Sequence, residues 1–135
     1  MTRMIHYLLD TNIVSELSRP RPNPVLSQWM ALANEHAVST VTLEEIRFGL
    51  AWHPNSRIER FMNAYFSTAS LLNITPEIAQ RCGSLRGEFR RKGITRHQSD
   101  MLIAATAQAH NLTLVTRNIR DFDGCGIALL DPCTA

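Results

Sequence analysis

Along the chain, short apolar runs alternate with longer stretches in which apolar residues recur every three or four positions. Ile5 to Leu9, Ala37 to Val41, Leu71 to Ile74, Leu112 to Thr116 and Gly126 to Leu130 read as short buried strands. Between them, Val25 to Glu35 carries Val25, Leu26, Trp29, Met30 and Leu32 at helical spacing. From Arg57 to Leu71 the residues Ile58, Phe61, Met62, Tyr65, Phe66 and Ala69 form a strongly amphipathic stripe. Thr75-Pro76-Glu77 opens a further helix striped by Ile78, Cys82, Leu85 and Phe89 and ended by Arg90-Arg91-Lys92 before Gly93. Ser99 to Ala109 is Ala-rich and helical, and Ser18 to Pro24, with three prolines, is a loop. Thr42-Leu43-Glu44-Glu45 fits the box in which a Thr cap and a Glu three residues on satisfy each other's backbone amides. Strands alternating with helices, with neither repeats nor a linker, predict one α/β domain over residues 1–135 with a mostly parallel five-stranded sheet.

Length agrees, because 135 residues suit one domain and are too few for a (β/α)₈ barrel. With 44% apolar residues the chain can bury a core without disulfide support. Cys82, Cys125 and Cys133 are odd in number and form no CxxC pair, so neither a disulfide framework nor a zinc knuckle is expected. The N-terminal apolar stretch is interrupted by His6 and closed by Asp10, which fits neither a signal peptide nor a membrane span, and a soluble cytoplasmic protein is expected. Net charge is only +2, yet 13 of the 14 cations are arginine, the side chain suited to gripping phosphate with two parallel donors.

The acids change the picture. In open parallel sheets ligands bind beyond the carboxyl ends of the strands. Asp10 follows the first strand, Glu45 the second, Asp100 opens the Ala-rich helix before the fourth, and Asp121 follows the fourth by five residues. Each has a bland alternative: Glu45 as a capping-box residue, Asp100 favoured by a helix dipole, Asp121 as part of a local turn with Asn118. Asp10 resists one, since it sits at a strand end that ought to be half buried. Four carboxylates gathered in a water-poor pocket would repel one another unless a hard divalent cation such as Mg²⁺ or Mn²⁺ lay between them. With those four so occupied, 14 cations would face 8 anions, a balance that attracts a phosphate backbone.

Leu8-Leu-Asp-Thr-Asn12, Ser39-Thr-Val-Thr-Leu-Glu-Glu-Ile46, Asp100-Met-Leu-Ile-Ala-Ala-Thr-Ala107 and Leu114-Val-Thr-Arg-Asn-Ile-Arg-Asp-Phe122 resemble, in order, the four motifs of PIN-domain ribonucleases. Within that family they look most like the VapC-type toxins and FitB-like branch of toxin–antitoxin modules. The resemblance implies an α/β/α sandwich that hydrolyses phosphodiesters in RNA with Mg²⁺ or Mn²⁺, held by Asp10, Glu45, Asp100 and Asp121. It further implies Asn12, Thr116 and Asn118 as residues that orient the carboxylates or the water, a cognate antitoxin that inhibits the enzyme, and a homodimer. His97-Gln98-Ser99 departs mildly from the small or Pro-containing turn common before the third acid, and His97 reads as a surface loop residue. Arg47, Arg96, Arg117 and Arg120 lie near the motifs, where they either hold phosphates or pair with nearby acids.

Two other acid-at-strand-end designs fail on the residues. A receiver domain needs a Lys after a late strand, and the single Lys92 lies before the fourth; a haloacid-dehalogenase-type phosphatase needs Asp-x-Asp where this chain has Asp10-Thr11-Asn12. The remaining alternative is a non-catalytic module of PIN shape that binds RNA or protein.

Overall fold

The computed structural model describes residues 4–32 and 35–134. Five parallel strands are ordered β3-β2-β1-β4-β5, with β1 Tyr7–Leu9, β2 His36–Ser39, β3 Leu71–Leu72, β4 Thr113–Val115 and β5 Leu129–Leu130. The helices are α1 Thr11–Leu17, α2 Pro24–Ala31, α3 Thr40–Trp52, α4 Ser56–Thr68, α5 Pro76–Arg91 and α6 Gln98–His110, and a 3₁₀ turn spans Ile119–Phe122.

Alternation along the strands builds two cores, one on each sheet face. Leu8, Ala37 and Leu114 point to the face covered by α5 and α6, where they meet Ile78, Cys82, Leu85, Phe89 and the small residues of α6. Their neighbours Leu9, Val38 and Val115 point to the other face and pack on Ile13, Leu26, Ile46 and Met62 from α1 to α4. The strands are buried on both sides, which is why they read as continuous apolar runs. An α/β/α sandwich results. Both stripes expected from spacing, Ile58 to Ala69 and Ile78 to Phe89, face these cores.

Local chemistry sets the helix ends. Asn23 Oδ1 accepts from the amides of Val25 and Leu26 with Pro24 at the first helical position, and Thr75 Oγ1 accepts from Ile78 with Pro76 likewise. Asn111 ends α6 in the left-handed conformation at φ 54.

Some boundaries differ from expectation. β2 stops at Ser39, whose side chain caps α3 by accepting from the Val41 amide, so Thr42 lies inside the helix and the Thr42–Glu45 box does not form. The helix expected to reach Glu35 is α2, ending at Ala31; residues 33 and 34 of that stretch lie outside the described residues. The helix expected to reach Leu71 ends at Thr68, because Leu71 pairs with Val38 as β3. Strands 1, 3, 4 and 5 are shorter than their apolar runs by up to three residues. Thr11–Leu17, to which the apolar pattern assigns no element, form α1.

Because β2 and β3 lie on one side of β1 and β4 and β5 on the other, the connections reverse at β1. A crevice opens at the carboxyl ends of the strands at such a point, and Asp10 stands there.

Candidate active site

Asp10 is 5% exposed and is the N-cap of α1. Its Oδ1 accepts from the Thr11 amide at 2.8 Å, and its Oδ2 accepts from Thr116 Oγ1, just past β4, also at 2.8 Å. Thr116 is fully buried and in turn accepts from the Asn118 amide at 3.0 Å and from Asn12 Nδ2 at 3.3 Å. Asn12 Oδ1 accepts from the Arg117 amide at 3.4 Å, so motifs 104 to 106 residues apart are tied by one polar network. Of the three residues expected as helpers, Thr116 bonds Asp10 directly and Asn12 bonds Thr116, while Asn118 contributes its backbone amide to Thr116 and lines the cleft.

Glu45 projects from the second turn of α3. Its Oε1 accepts from Thr11 Oγ1 at 2.7 Å, and Thr11 Oγ1 is 3.0 Å from the fully buried Thr42 Oγ1. Since Thr11 spends its one hydroxyl proton on Glu45, Thr42 is the donor of the pair. Asp100 is the third residue of α6, whose N-terminus brings it to the same place.

Asp10, Glu45 and Asp100 line one solvent-open cleft of about 500 Å³, together with Thr11, Asn12, Arg117 and Asn118. Asp121, on the 3₁₀ turn, is exposed and does not line the cleft, but its charge reaches Asp100. Burial pushes the Asp10 carboxyl up to about 6; the hydrogen bonds from Thr116 and Thr11 work against that rise, and the charges of Asp100 and Glu45 add to it. Asp100 is raised too, first by burial and then by Asp121 and Glu45, with His97 and Arg96 pulling the other way. None of the four carboxylates forms an ion pair among the described residues. Among those residues, no three His, Cys, Asp or Glu side chains lie close enough together to hold a metal ion as they stand. The donor set is all oxygen and none of its carboxylates is in an ion pair among the described residues, which suits a hard divalent cation and no soft one.

Three of the arginines near the motifs contact protein groups. Arg47 hydrogen-bonds Asn63 and lies 3.8 Å from Glu59. Arg96 donates to the carbonyls of Arg120, Asp121 and Asp123, at 3.1 Å to the first and 2.8 Å to the last, and its guanidinium lies 4.3 Å from the centre of the Phe89 ring. Arg117 pairs with Glu16 at 2.8 Å. His97 is exposed and makes no side-chain cap of α6.

The PIN domain family matches residues 7–124. The chain belongs to the PIN-domain family. Ribonuclease VapC2 of Haemophilus influenzae is 31% identical over 122 residues, covering 89% of this chain and 92% of that protein. Toxin FitB of Neisseria gonorrhoeae is 30% identical over 135 residues, covering 93% of this chain and 96% of its own. Among solved structures, DNA-bound VapBC from Salmonella typhimurium superposes with a TM-score of 0.86 at 27% identity over 96% of this PIN-domain chain and 100% of that one.

Sequence reasoning missed the two hydroxyls behind Glu45 and the buried Glu16. Thr11 was readable only as part of a turn, and Thr42 was claimed by a capping box that does not form. Glu16, 7% exposed, is legible only once α1 is known to be a helix bringing it beside Arg117.

Proposed function

We propose that this chain is a metal-dependent ribonuclease that acts as the toxin of a toxin–antitoxin pair. The observation that carries the reading is the convergence of Asp10, Glu45 and Asp100 on one cleft, with none of the three in an ion pair among the described residues. Membership of the PIN family and similarity to proteins named ribonuclease and toxin support it.

In this reading Asp10, Glu45 and Asp100 hold Mg²⁺ or Mn²⁺, with Asp121 flanking Asp100. Bound there, such an ion would supply an activated water as the nucleophile and a positive charge to offset that building on the phosphate oxygens. Thr116 fixes which way Asp10 points, and Thr11, backed by Thr42, does the same for Glu45. With water as the attacking group and the 3′-oxygen as the leaving group, the P–O3′ bond breaks and cleavage leaves a 5′-phosphate and a 3′-hydroxyl.

An apolar groove beside the cleft is walled by Ile46, Leu50, Ile58 and Met62 and shares Thr11, Ser15, Arg19 and Glu45 with it. A cognate antitoxin segment lying in that groove would cover the acids, which is how a bound partner silences the enzyme. The relative from Salmonella was solved as a VapBC complex, in keeping with such a partner. The toxin is a homodimer in this reading, and among the described residues no helix is long and apolar enough to cross a membrane.

The test is cleavage of RNA by the purified protein. Degradation in Mg²⁺ or Mn²⁺ that EDTA abolishes, and that Asp10→Asn lacks while remaining folded, is the expected result. Cleavage at the wild-type rate by Asp10→Asn, or an EDTA-insensitive rate, would remove the assignment and leave a non-catalytic PIN-shaped module.

A further inference from the structure

The cleft that the acids line also carries basic residues. Arg117, immediately after Thr116, and Arg19, just past α1, both line it. Both donate through Nη1 to the same oxygen, Glu16 Oε1, at 2.8 Å and 3.3 Å, while Glu16 Oε2 accepts from the Asn23 amide at 2.9 Å. Glu16 is 7% exposed and held by three donors, so it cannot swing away. The arginine side chains are 43% and 66% exposed.

Stability alone does not account for this arrangement. Ion pairs of half-exposed arginines add little to folding, and one guanidinium would satisfy Glu16. Two converge, so the Glu16 cluster carries one net positive charge in the cleft that the carboxylates line. Glu16 is moreover the only partner that the Arg117 guanidinium has among the described residues, so most of its five N–H donors remain available. A planar fork whose orientation is already fixed loses little freedom on binding a phosphate.

We propose that Arg117, with Arg19 beside it and Glu16 as the anchor of both, is a seat for a backbone phosphate of RNA adjacent to the one that is cut. This rests on the ribonuclease reading above. The position suits the role, because Arg117 lies between Thr116, which orients Asp10, and Asn118, which lines the cleft. The seat offsets the repulsion between a polyanion and an acid-lined crevice at the point where the strand enters it. Arg117 is thus a substrate-positioning residue, and Arg19 a weaker one.

The experiment measures kcat and KM for a single-stranded oligoribonucleotide at several salt concentrations, with binding of the same oligonucleotide followed by fluorescence anisotropy in Mn²⁺. Arg117→Ala is expected to raise KM and Kd by tenfold or more with kcat changed less than about threefold, and to lower the salt slope of binding by roughly 1. Arg117→Lys, which keeps the charge and loses the fork, falls between, and Arg19→Ala weakens binding less than Arg117→Ala. Thermal midpoints show whether each variant is folded. The seat is refuted if Arg117→Ala binds RNA as wild type does with an unchanged slope, if it loses kcat alone, or if the wild-type protein binds no RNA. Wild-type binding that depends on Arg117 without any metal-dependent cleavage would instead remove the ribonuclease reading and leave the seat standing.

Discussion

The hydroxyl of Thr116 donates to Asp10 Oδ2 at 2.8 Å across 106 residues of sequence, and neither group is more than 5% exposed. The bond joins the carboxyl end of β1 to the segment leaving β4, and it lowers the Asp10 carboxyl against the rise that burial imposes. Thr116→Val removes a donor from a buried carboxylate and an acceptor from Asn12 and Asn118. Leaving such groups unpaired costs about 1–3 kcal/mol. Thr116→Val is therefore expected to lower the unfolding free energy measured in urea by that amount and to slow RNA cleavage at least tenfold, whereas Thr116→Ser retains both. Equal cleavage by the Val variant would show that Asp10 needs no such support.

Asp10 makes the metal-free protein sensitive to pH in an unusual direction. Its folded pKa, about 6, lies above the ordinary 3.8, so the native state holds this proton more tightly than the unfolded chain. The associated stability is fully present below about 3.8 and is lost as pH rises through about 6. The loss amounts to up to about 3 kcal/mol. Asp10→Asn cannot ionise, so its stability relative to wild type should grow between pH 4 and pH 7 in EDTA; denaturant unfolding at both values measures this. Mn²⁺ should raise the wild-type melting temperature more at pH 7.5 than at pH 5, because the cation meets an ionised carboxylate only at the higher value. A difference independent of pH would place Asp10 outside the buried acid site.

Thr11 is the link between Glu45 and the buried Thr42. Thr11→Val leaves Glu45 free to turn and Thr42 without its acceptor, at a cost of about 1–2 kcal/mol. Loss of a group that orients a metal-binding carboxylate typically weakens the metal 10- to 100-fold. The concentration of Mn²⁺ giving half-maximal cleavage should rise accordingly, with Thr11→Ser close to wild type. An unchanged requirement would mean that Glu45 is held by other means.

Arg96 straps the turn that carries Asp121 by donating to three of its carbonyls while lying over Phe89. Arg96→Ala should speed amide hydrogen exchange across residues 119–125 at least tenfold while leaving α5 and α6 protected, and should slow cleavage without altering the product ends. Unchanged exchange in the turn would show that Arg96 does not hold it.

Much of this arrangement is written in the residue pattern, for reasons that are physical. Strands buried on both faces must be apolar throughout, and helices resting on a sheet must carry a stripe, so Leu8-Leu9, Leu114-Val115 and the Ile78 to Phe89 series announce their elements. Asp10 announces itself because a carboxylate at a buried strand end has few structural uses. What escapes a linear reading depends on partners distant in sequence. Thr42-x-x-Glu45 satisfies a local capping rule, but Ser39 takes the cap and Glu45 turns to Thr11, 34 residues away. Arg47 and Arg96 resemble phosphate ligands by position alone, and only the fold shows the carbonyls and amide oxygen that occupy them. Asp121, fourth in the acidic series, lies outside the cleft lining, on a turn whose carbonyls accept from Arg96.

The central claim is that Asp10, Glu45 and Asp100, with Asp121 at their edge, together bind one hard divalent cation. Titrating Mn²⁺ into the metal-free protein and following free Mn²⁺ by electron paramagnetic resonance tests it directly. Saturable binding by the wild-type chain, competed by Mg²⁺ and weakened at least tenfold in each of Asp10→Asn and Asp100→Asn while both variants stay folded, is the predicted result. Mn²⁺ binding of unchanged affinity in those two variants, or none in the wild-type protein, would contradict it.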